Sequence, residues 1–266
     1  MILVRQNGGR TFQSAKKPHS IIEHMRPRIA IPVPHSGDPE YAGRALPQYE
    51  KAVEQAGGEP VCIPLDASAE DVRELVQQCD AVLLPGSRAD VDPAIYGEER
   101  NPNTTDADES RNSTDGILLD DAYKHRKPVL GICYGLQSLN VYRQGSLLQH
   151  IESSVNHEAG RKIPVAHTVS VTPGSKLAEI VAMTHVDPAQ MPVNSSHHQS
   201  ADVVGNELRI VGRCSQDGIV EALEGTAPDH FVLAVQWHPE RSVEDDAPSR
   251  AIFRALVEAS KVWHKE

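Results

Sequence analysis

The chain is poor in cysteine: Cys62, Cys79, Cys133 and Cys214 are the four in 266 residues, separated by 17, 54 and 81 positions. That spacing contains no CxxC knuckle for a tetrahedral metal and lacks the density of a disulfide-stapled scaffold. Scattered cysteines are ordinarily buried thiols, so a cysteine with another role must reveal it through its neighbours. Basic charge is also short. The 26 Lys+Arg against 37 Asp+Glu leave a net charge of -11 with no basic tract, which argues against nucleic acid and anionic membranes as partners. No apolar run approaches the roughly 20 residues that span a bilayer. The opening MILVRQNGGRTFQSAKK has too short an apolar stretch for a signal peptide and no small-residue cleavage pattern after it, so a cytoplasmic location is expected. Internal repeats are not visible.

What is present is an alternation of strand and helix periods. Residues 1–26 read as a polar extension with a short helix near 19–25. The ordered part, 27–266, is expected to be one α/β domain. It opens on Arg28-Ile29-Ala30-Ile31-Pro32-Val33, a short apolar run suited to a buried strand. A helix at 47–56 follows, stopped by Gly57-Gly58, and then a strand at 60–64. A helix over 69–78, with acids near its start, leads to the apolar run Ala81-Val82-Leu83-Leu84. Residues 88–114 are polar and aperiodic and read as a long surface loop or lid, its acidic run Asp106-Ala107-Asp108-Glu109 solvated. Helices at 115–126 and 135–143 flank a strand at 127–132. These alternations, with short connections, predict a mostly parallel central sheet with helices on both faces. Alternating segments at 165–171 and 207–212, with a short helix near 176–180 between them, read as antiparallel or edge strands. A strand at 231–237 and an amphipathic helix at 249–262 close the chain.

Three short segments carry chemistry. In Gly131-Ile132-Cys133-Tyr134-Gly135 a cysteine ends an apolar strand and precedes a helix, with glycines two residues to either side. This fits a strained strand–turn–helix elbow that lifts sulfur above the sheet, and a helix N-terminus favours its thiolate. The pentapeptide by itself is equally compatible with a buried thiol in a tight turn. In Val235-Gln236-Trp237-His238-Pro239-Glu240 an extended backbone puts His238 and Glu240 on one side, so the carboxylate can orient the imidazole. A histidine at a strand end is commonly just a hydrogen-bonded surface group, but a nucleophile elsewhere gives it a base's role. Finally, Leu83-Leu84-Pro85-Gly86-Ser87 is a sharp turn after a buried strand, able either to serve as an ordinary type II turn or to aim backbone amides at developing negative charge.

From Pro27 onward the chain resembles the class I glutamine amidotransferase-like hydrolases, and within them the peptidase C26 branch of γ-glutamyl-γ-aminobutyrate hydrolase type. The resemblance rests on AVEQAGGEPVCIP at 52–64, LLPGSRADVDPAIYGEE at 83–99, PVLGICYGLQSLNVYRQGSLLQH at 128–150, VNSSHHQS at 193–200, DGIVEALE at 217–224 and VQWHPE at 235–240. It implies a flavodoxin-like class I glutamine amidotransferase fold with a cysteine nucleophile elbow. By the same resemblance Cys133 is the nucleophile, His238 the base and Glu240 its orienter. Gly86, Ser87 and Tyr134 are implied as oxyanion donors, and Gln137, Ser196, His197, His198 and Gln199 as the substrate pocket. The chain departs from the family pattern at Gly86-Ser87, Tyr134-Gly135 and Gln144-Gly145-Ser146. A further departure is Arg111-Asn112-Ser113-Thr114-Asp115, where the family carries an Arg-Asp pair with a downstream Glu.

The implied reaction is hydrolysis of the γ-glutamyl amide bond of a small compound through a cysteine thioester, with no cofactor. His197-His198 is set aside as a metal site, because adjacent side chains diverge on an extended backbone and no acid or cysteine cluster is near in sequence. The alternatives are a glutaminase subunit delivering ammonia to a separate synthase, and a non-catalytic binding homologue. A homodimer is the expected assembly only because symmetric dimers are the commonest.

Overall fold

The computed structural model describes residues 26–263, so the helix expected at 19–25 lies outside the described residues. Five parallel strands form one half of the molecule: β1 (Arg28–Pro32), β2 (Glu59–Ile63), β3 (Ala81–Leu84), β4 (Val129–Ile132) and β11 (Val232–Val235). The other half is antiparallel: β6 (His167–Val171), β7 (Met191–Val193), β9 (Leu208–Cys214) and β10 (Val220–Gly225). Together they make a nine-stranded sheet in the order β2-β1-β3-β4-β11-β10-β9-β6-β7. A two-stranded ribbon, β5 (Leu147–Leu148) with β8 (Ser200–Ala201), ties residues 196–199 to the chain leaving the elbow helix.

Strand residues alternate between two cores, as a sheet covered on both faces requires. Ile29, Ile31, Leu83, Leu130, Ile132 and Val235 pack with α1 (Pro39–Gln55), α5 (Lys176–Ala182) and α6 (Ala247–Val262). Ala30, Val82, Leu84, Val129 and Ala234 face the opposite way, toward α2 (Ala69–Gln77), α3 (Glu109–His125) and α4 (Tyr134–Tyr142). The α/β architecture with helices on both faces therefore agrees with the sequence reading.

Several element bounds do not. The first helix starts at Pro39, not at residue 47, and Pro47 lies inside it. Asp38 caps it by accepting from the Tyr41 N–H at 2.8 Å, and a buried face of Tyr41, Ala42, Ala45, Tyr49, Ala52 and Val53 outweighs the loss of one interior hydrogen bond. The expected loop 88–114 ends early, because residues 109–114 are the first turns of α3. Asp108, read as part of a solvated acidic run, is its buried cap. It accepts from Arg111 N at 3.0 Å and from the backbone N–H and hydroxyl of Ser36, each at 2.7 Å. β10 was not anticipated as a strand.

The arrangement brings four neighbouring parallel strands, β1, β3, β4 and β11, to a common carboxyl edge, where ligands of open α/β sheets bind. The Pro85-Gly86-Ser87 turn leaves β3 there, Cys133 leaves β4 and His238 leaves β11.

Candidate active site

Cys133 sits at φ 53°, ψ -107°, a sparsely populated conformation for a side-chain-bearing residue that is retained only where the surroundings impose it. Its N–H continues the sheet ladder to Val235 O at 2.8 Å, and the next residue begins α4. Both flanking glycines are required by close approach. A Cβ on Gly135 would stand 2.1 Å from Leu84 O, and one on Gly131 2.7 Å from Gly135 O. The elbow expected from the glycine spacing is the geometry found.

Gly86 lies between Cys133 and His238. A Cβ there would meet His238 Cε1 at 3.0 Å and Cys133 Cβ at 3.5 Å. His238 Nδ1 donates to Glu240 Oε1 at 2.8 Å, which leaves Nε2 as the nitrogen able to accept a proton. All three side chains are buried. Burial pushes the Cys133 thiol up to about 12, against the opposing charge of Arg241 and the Tyr134 N–H. The thiolate expected from the helix N-terminus is therefore not the resting form, because desolvation outweighs that terminus. Burial also holds His238 below its ordinary value despite the Glu240 carboxylate. Glu240 is pushed up by burial, but His238 and Arg241 more than offset this and hold it below the usual range. Thiol and imidazole are thus both neutral at rest, and the carboxylate is charged.

The oxyanion candidates differ among themselves. The Gly86 N–H donates to the Tyr49 hydroxyl at 3.0 Å. The Ser87 N–H meets no acceptor among the described residues, while the Ser87 hydroxyl accepts from Ala89 N at 3.2 Å. The Tyr134 N–H lies at the start of α4 and draws the Cys133 thiol down against its burial. The Tyr134 side chain is buried beside Ala89, Val91, Val141 and Leu147.

A cavity of about 250 Å³ opens over Cys133, with Ser87, Arg88, Asp90, Gln137, Glu158 and the 196–199 loop in its wall. Gln137 Nε2 donates to Gln199 O at 3.2 Å, and Gln199 Nε2 to Gln149 O at 3.0 Å. Ser196 accepts from Arg241 at 2.7 Å. His198 Nε2 lies 3.1 Å from Asp90, and this hydrogen bond, ahead of the opposing burial, holds His198 above its usual value. His197 turns the other way, toward Glu221.

Three supporting residues escaped the sequence reading. Asn194 pairs with the His238 peptide on both sides. Arg241 joins Glu240, at 3.4 Å, to the Ser196 hydroxyl. Arg111, quoted only as a departure from a family pattern, is fully buried in an ion pair with Asp115 at 2.7 Å. It donates to Pro34 O at 3.0 Å and Pro85 O at 2.6 Å, and its guanidinium stacks 4.8 Å over the Tyr134 ring. The carboxylate keeps the guanidinium charged despite its burial. The only sequence signal for Arg111 and Asp115 was their spacing of four, which puts both on one helix face.

Comparison with known proteins shows the family. The chain is 35% identical over 224 residues to γ-glutamyl-γ-aminobutyrate hydrolase of Escherichia coli O157:H7, covering 80% of this chain and 84% of that protein. It is 30% identical over 216 residues to protein NtpR of Enterococcus hirae, covering 79% and 87% respectively. The fold matches the structure of PurLQS from Thermotoga maritima with a TM-score of 0.57 at 19% identity, over 88% of this chain and 99% of that one. The model of the peptidase C26 family matches residues 34–240. Since that match runs from the loop after β1 to the acid beside His238, the chain belongs to the peptidase C26 family of the class I glutamine amidotransferase-like superfamily, whose reactions are cysteine-dependent and of the amidotransferase or γ-glutamyl hydrolase type.

Proposed function

We propose that the chain hydrolyses the γ-glutamyl amide bond of a small γ-glutamyl compound, releasing glutamate and an amine. The observation that carries this reading is the meeting of a strained Cys133 elbow and an oriented His238–Glu240 pair on either side of Gly86. As substrate enters, His238 Nε2 takes the Cys133 proton, and sulfur attacks the amide carbonyl carbon. The tetrahedral oxyanion is held by the N–H groups of Ser87 and Tyr134. Its collapse breaks the C–N bond, and His238 returns the proton to the departing amine. Water, deprotonated by the same imidazole, then attacks the thioester, expelling glutamate and restoring the thiol. Glu240 holds the tautomer throughout without itself changing protonation.

The cavity wall supports a zwitterionic glutamyl head group. Arg88, paired with Asp38 at 3.1 Å, lines the cavity as a cation for its carboxylate, and Asp90 and Glu158 line it as negative charge for its ammonium. The similarity to γ-glutamyl-γ-aminobutyrate hydrolase favours an amine portion that itself bears a charge. The test is glutamate release from glutamine, γ-glutamyl-γ-aminobutyrate, γ-glutamyl polyamine adducts and γ-glutamyl peptides, with Cys133→Ala as control. Cys133-dependent release from a substituted amide is the expected result. Activity on glutamine alone would point to a synthase partner, and silence from folded protein would sink the hydrolase reading.

A further inference from the structure

Behind the 196–199 loop, in the antiparallel half of the sheet, Glu221 of β10 is buried among three histidines. Its Oε1 lies 2.9 Å from His167 Nε2, 3.3 Å from His157 Nδ1 and 3.5 Å from His197 Nε2, and all four side chains are at most 2% exposed. None of these approaches has the geometry of a hydrogen bond. His157 Nδ1, both ring nitrogens of His167, His197 Nε2 and both Glu221 oxygens have no hydrogen-bond partner among the described residues. A buried carboxylate without partners is among the most costly arrangements a core can hold.

Following the ring protons sharpens the point. His157 Nε2 sits 2.8 Å from Asp217 Oδ2, and His197 Nδ1 sits 3.0 Å from Gln199 O. In the neutral form of either ring these contacts take the proton on the far nitrogen, and the nitrogen facing Glu221 then presents a lone pair. Lone pairs facing a carboxylate oxygen in a dry interior need a positive charge between them. The ligand atoms of His157, His167 and Glu221 all lie within 4.8 Å of one another. Zinc with bonds of about 2.0–2.1 Å sets tetrahedral ligands about 3.3 Å apart, near the 2.9 and 3.3 Å that separate Glu221 from His167 and His157. Asp217 also provides the outer-shell carboxylate that characteristically orients a metal-bound histidine. It is itself held by the Ser153 hydroxyl at 2.6 Å and the Ile219 N–H at 3.2 Å.

We propose that His157, His167 and Glu221 form a structural zinc site, with His197 facing the same carboxylate from the substrate-loop side. The site has no part in the thioester chemistry. Its effect is to fasten residues 149–166 and 194–199, which come from separate loops, to β6 and β10. The same loops already meet through Ser195 Oγ and His197 N, both donating to His157 O. This departs from the sequence expectation of no metal, which considered the cysteine spacing and the adjacent pair His197-His198. The partners converge from positions far apart in the chain.

The test is the metal content of the intact chain, expressed with added zinc sulfate, passed through gel filtration and measured by inductively coupled plasma mass spectrometry. The expected result is about one zinc per chain, unchanged in Cys133→Ala and reduced about tenfold in Glu221→Gln and in His167→Gln. Cobalt added to chelator-stripped protein should give visible bands of tetrahedral intensity without a thiolate charge-transfer band. Should a ligand variant fail to fold, the wild-type measurement still decides. Folded wild-type protein that retains no zinc after incubation with one equivalent would overturn the proposal in favour of a protonated imidazole cluster. Zinc lost with Cys133, or a cobalt–thiolate band, would overturn it as well.

Discussion

Asn194 brackets the peptide of His238: its Nδ2 donates to His238 O at 2.8 Å and its Oδ1 accepts from His238 N at 3.0 Å. The side chain thereby completes, with atoms from a loop, a strand pairing that β11 has already left. It fixes where the imidazole stands without touching the imidazole. Asn194→Ala is expected to cost about 2 kcal/mol of stability, two buried hydrogen bonds being lost. It should also lower kcat by about 10–100-fold through misplacement of the base, with little change in KM. Denaturant titration and steady-state kinetics on the same preparation check both.

Glu240 acts on the tautomer of His238, so Glu240→Gln should leave the fold intact and reduce kcat by about 10²–10⁴-fold. The amide can still accept from Nδ1–H, or can flip and donate to Nδ1, which moves the proton to the nitrogen that must serve as base. Nitrogen-15 chemical shifts of the His238 ring, wild type against variant, report the tautomer directly.

The pH dependence follows from two neutral groups. His238 is held below its ordinary 6.5 by burial, and only its neutral form can take the proton, so kcat/KM should fall as pH drops through a value under 6.5. Removing the Glu240 charge should move that limb lower still, because the carboxylate raises the imidazole. The Cys133 thiol, up at about 12, contributes no titration near pH 8–9, about where a free cysteine would. A kcat/KM profile with a second inflection from thiol ionisation in that range would contradict a neutral resting pair.

Arg111→Met should destabilise the protein by about 3–5 kcal/mol, since it strands the Asp115 carboxylate in the core. Replacing both partners, with Asp115→Leu added, should be less damaging than either change alone. Equilibrium unfolding of the two single variants and the double variant forms the cycle that checks this.

Tyr49→Phe removes the acceptor of the Gly86 N–H. With Ser87 and Tyr134 as the oxyanion donors, kcat should stay within about threefold while stability falls by about 1–3 kcal/mol for the orphaned buried donor. A large gain or loss in kcat would instead assign the Gly86 N–H to the transition state.

Much of this molecule was legible wherever apolar periodicity and glycine spacing carried the signal. The parallel strands at 28–33, 81–84 and 127–132 read as continuous apolar runs because both faces are covered, and Gly131 and Gly135 announced the elbow. The reading failed where buried faces are polar. The first turns of α3 bury Arg111, Thr114 and Asp115, so no apolar stripe marks them, and residues 109–114 passed for loop. β10 buries Glu221 and Glu224 along with its apolar residues, and Glu224 is tied to Arg209 and the Lys176 N–H. Such a segment looks solvated until its partners are known. Asn194, Arg241 and the Glu221 histidines escaped for the same reason: their partners lie far away in the sequence.

The Arg111 guanidinium holds the carbonyls of Pro34 and Pro85, just past β1 and β3, from a helix that starts after the long loop has ended. The turn after β3 is thus tied to the end of β1 through α3, whose cap Asp108 closes the same loop that supplies Arg88 and Asp90 to the cavity. Changes confined to residues 89–107 leave both fastenings, Arg111 and Asp108, untouched, so the wall of the cavity can vary in sequence without unpinning the turn beside Cys133.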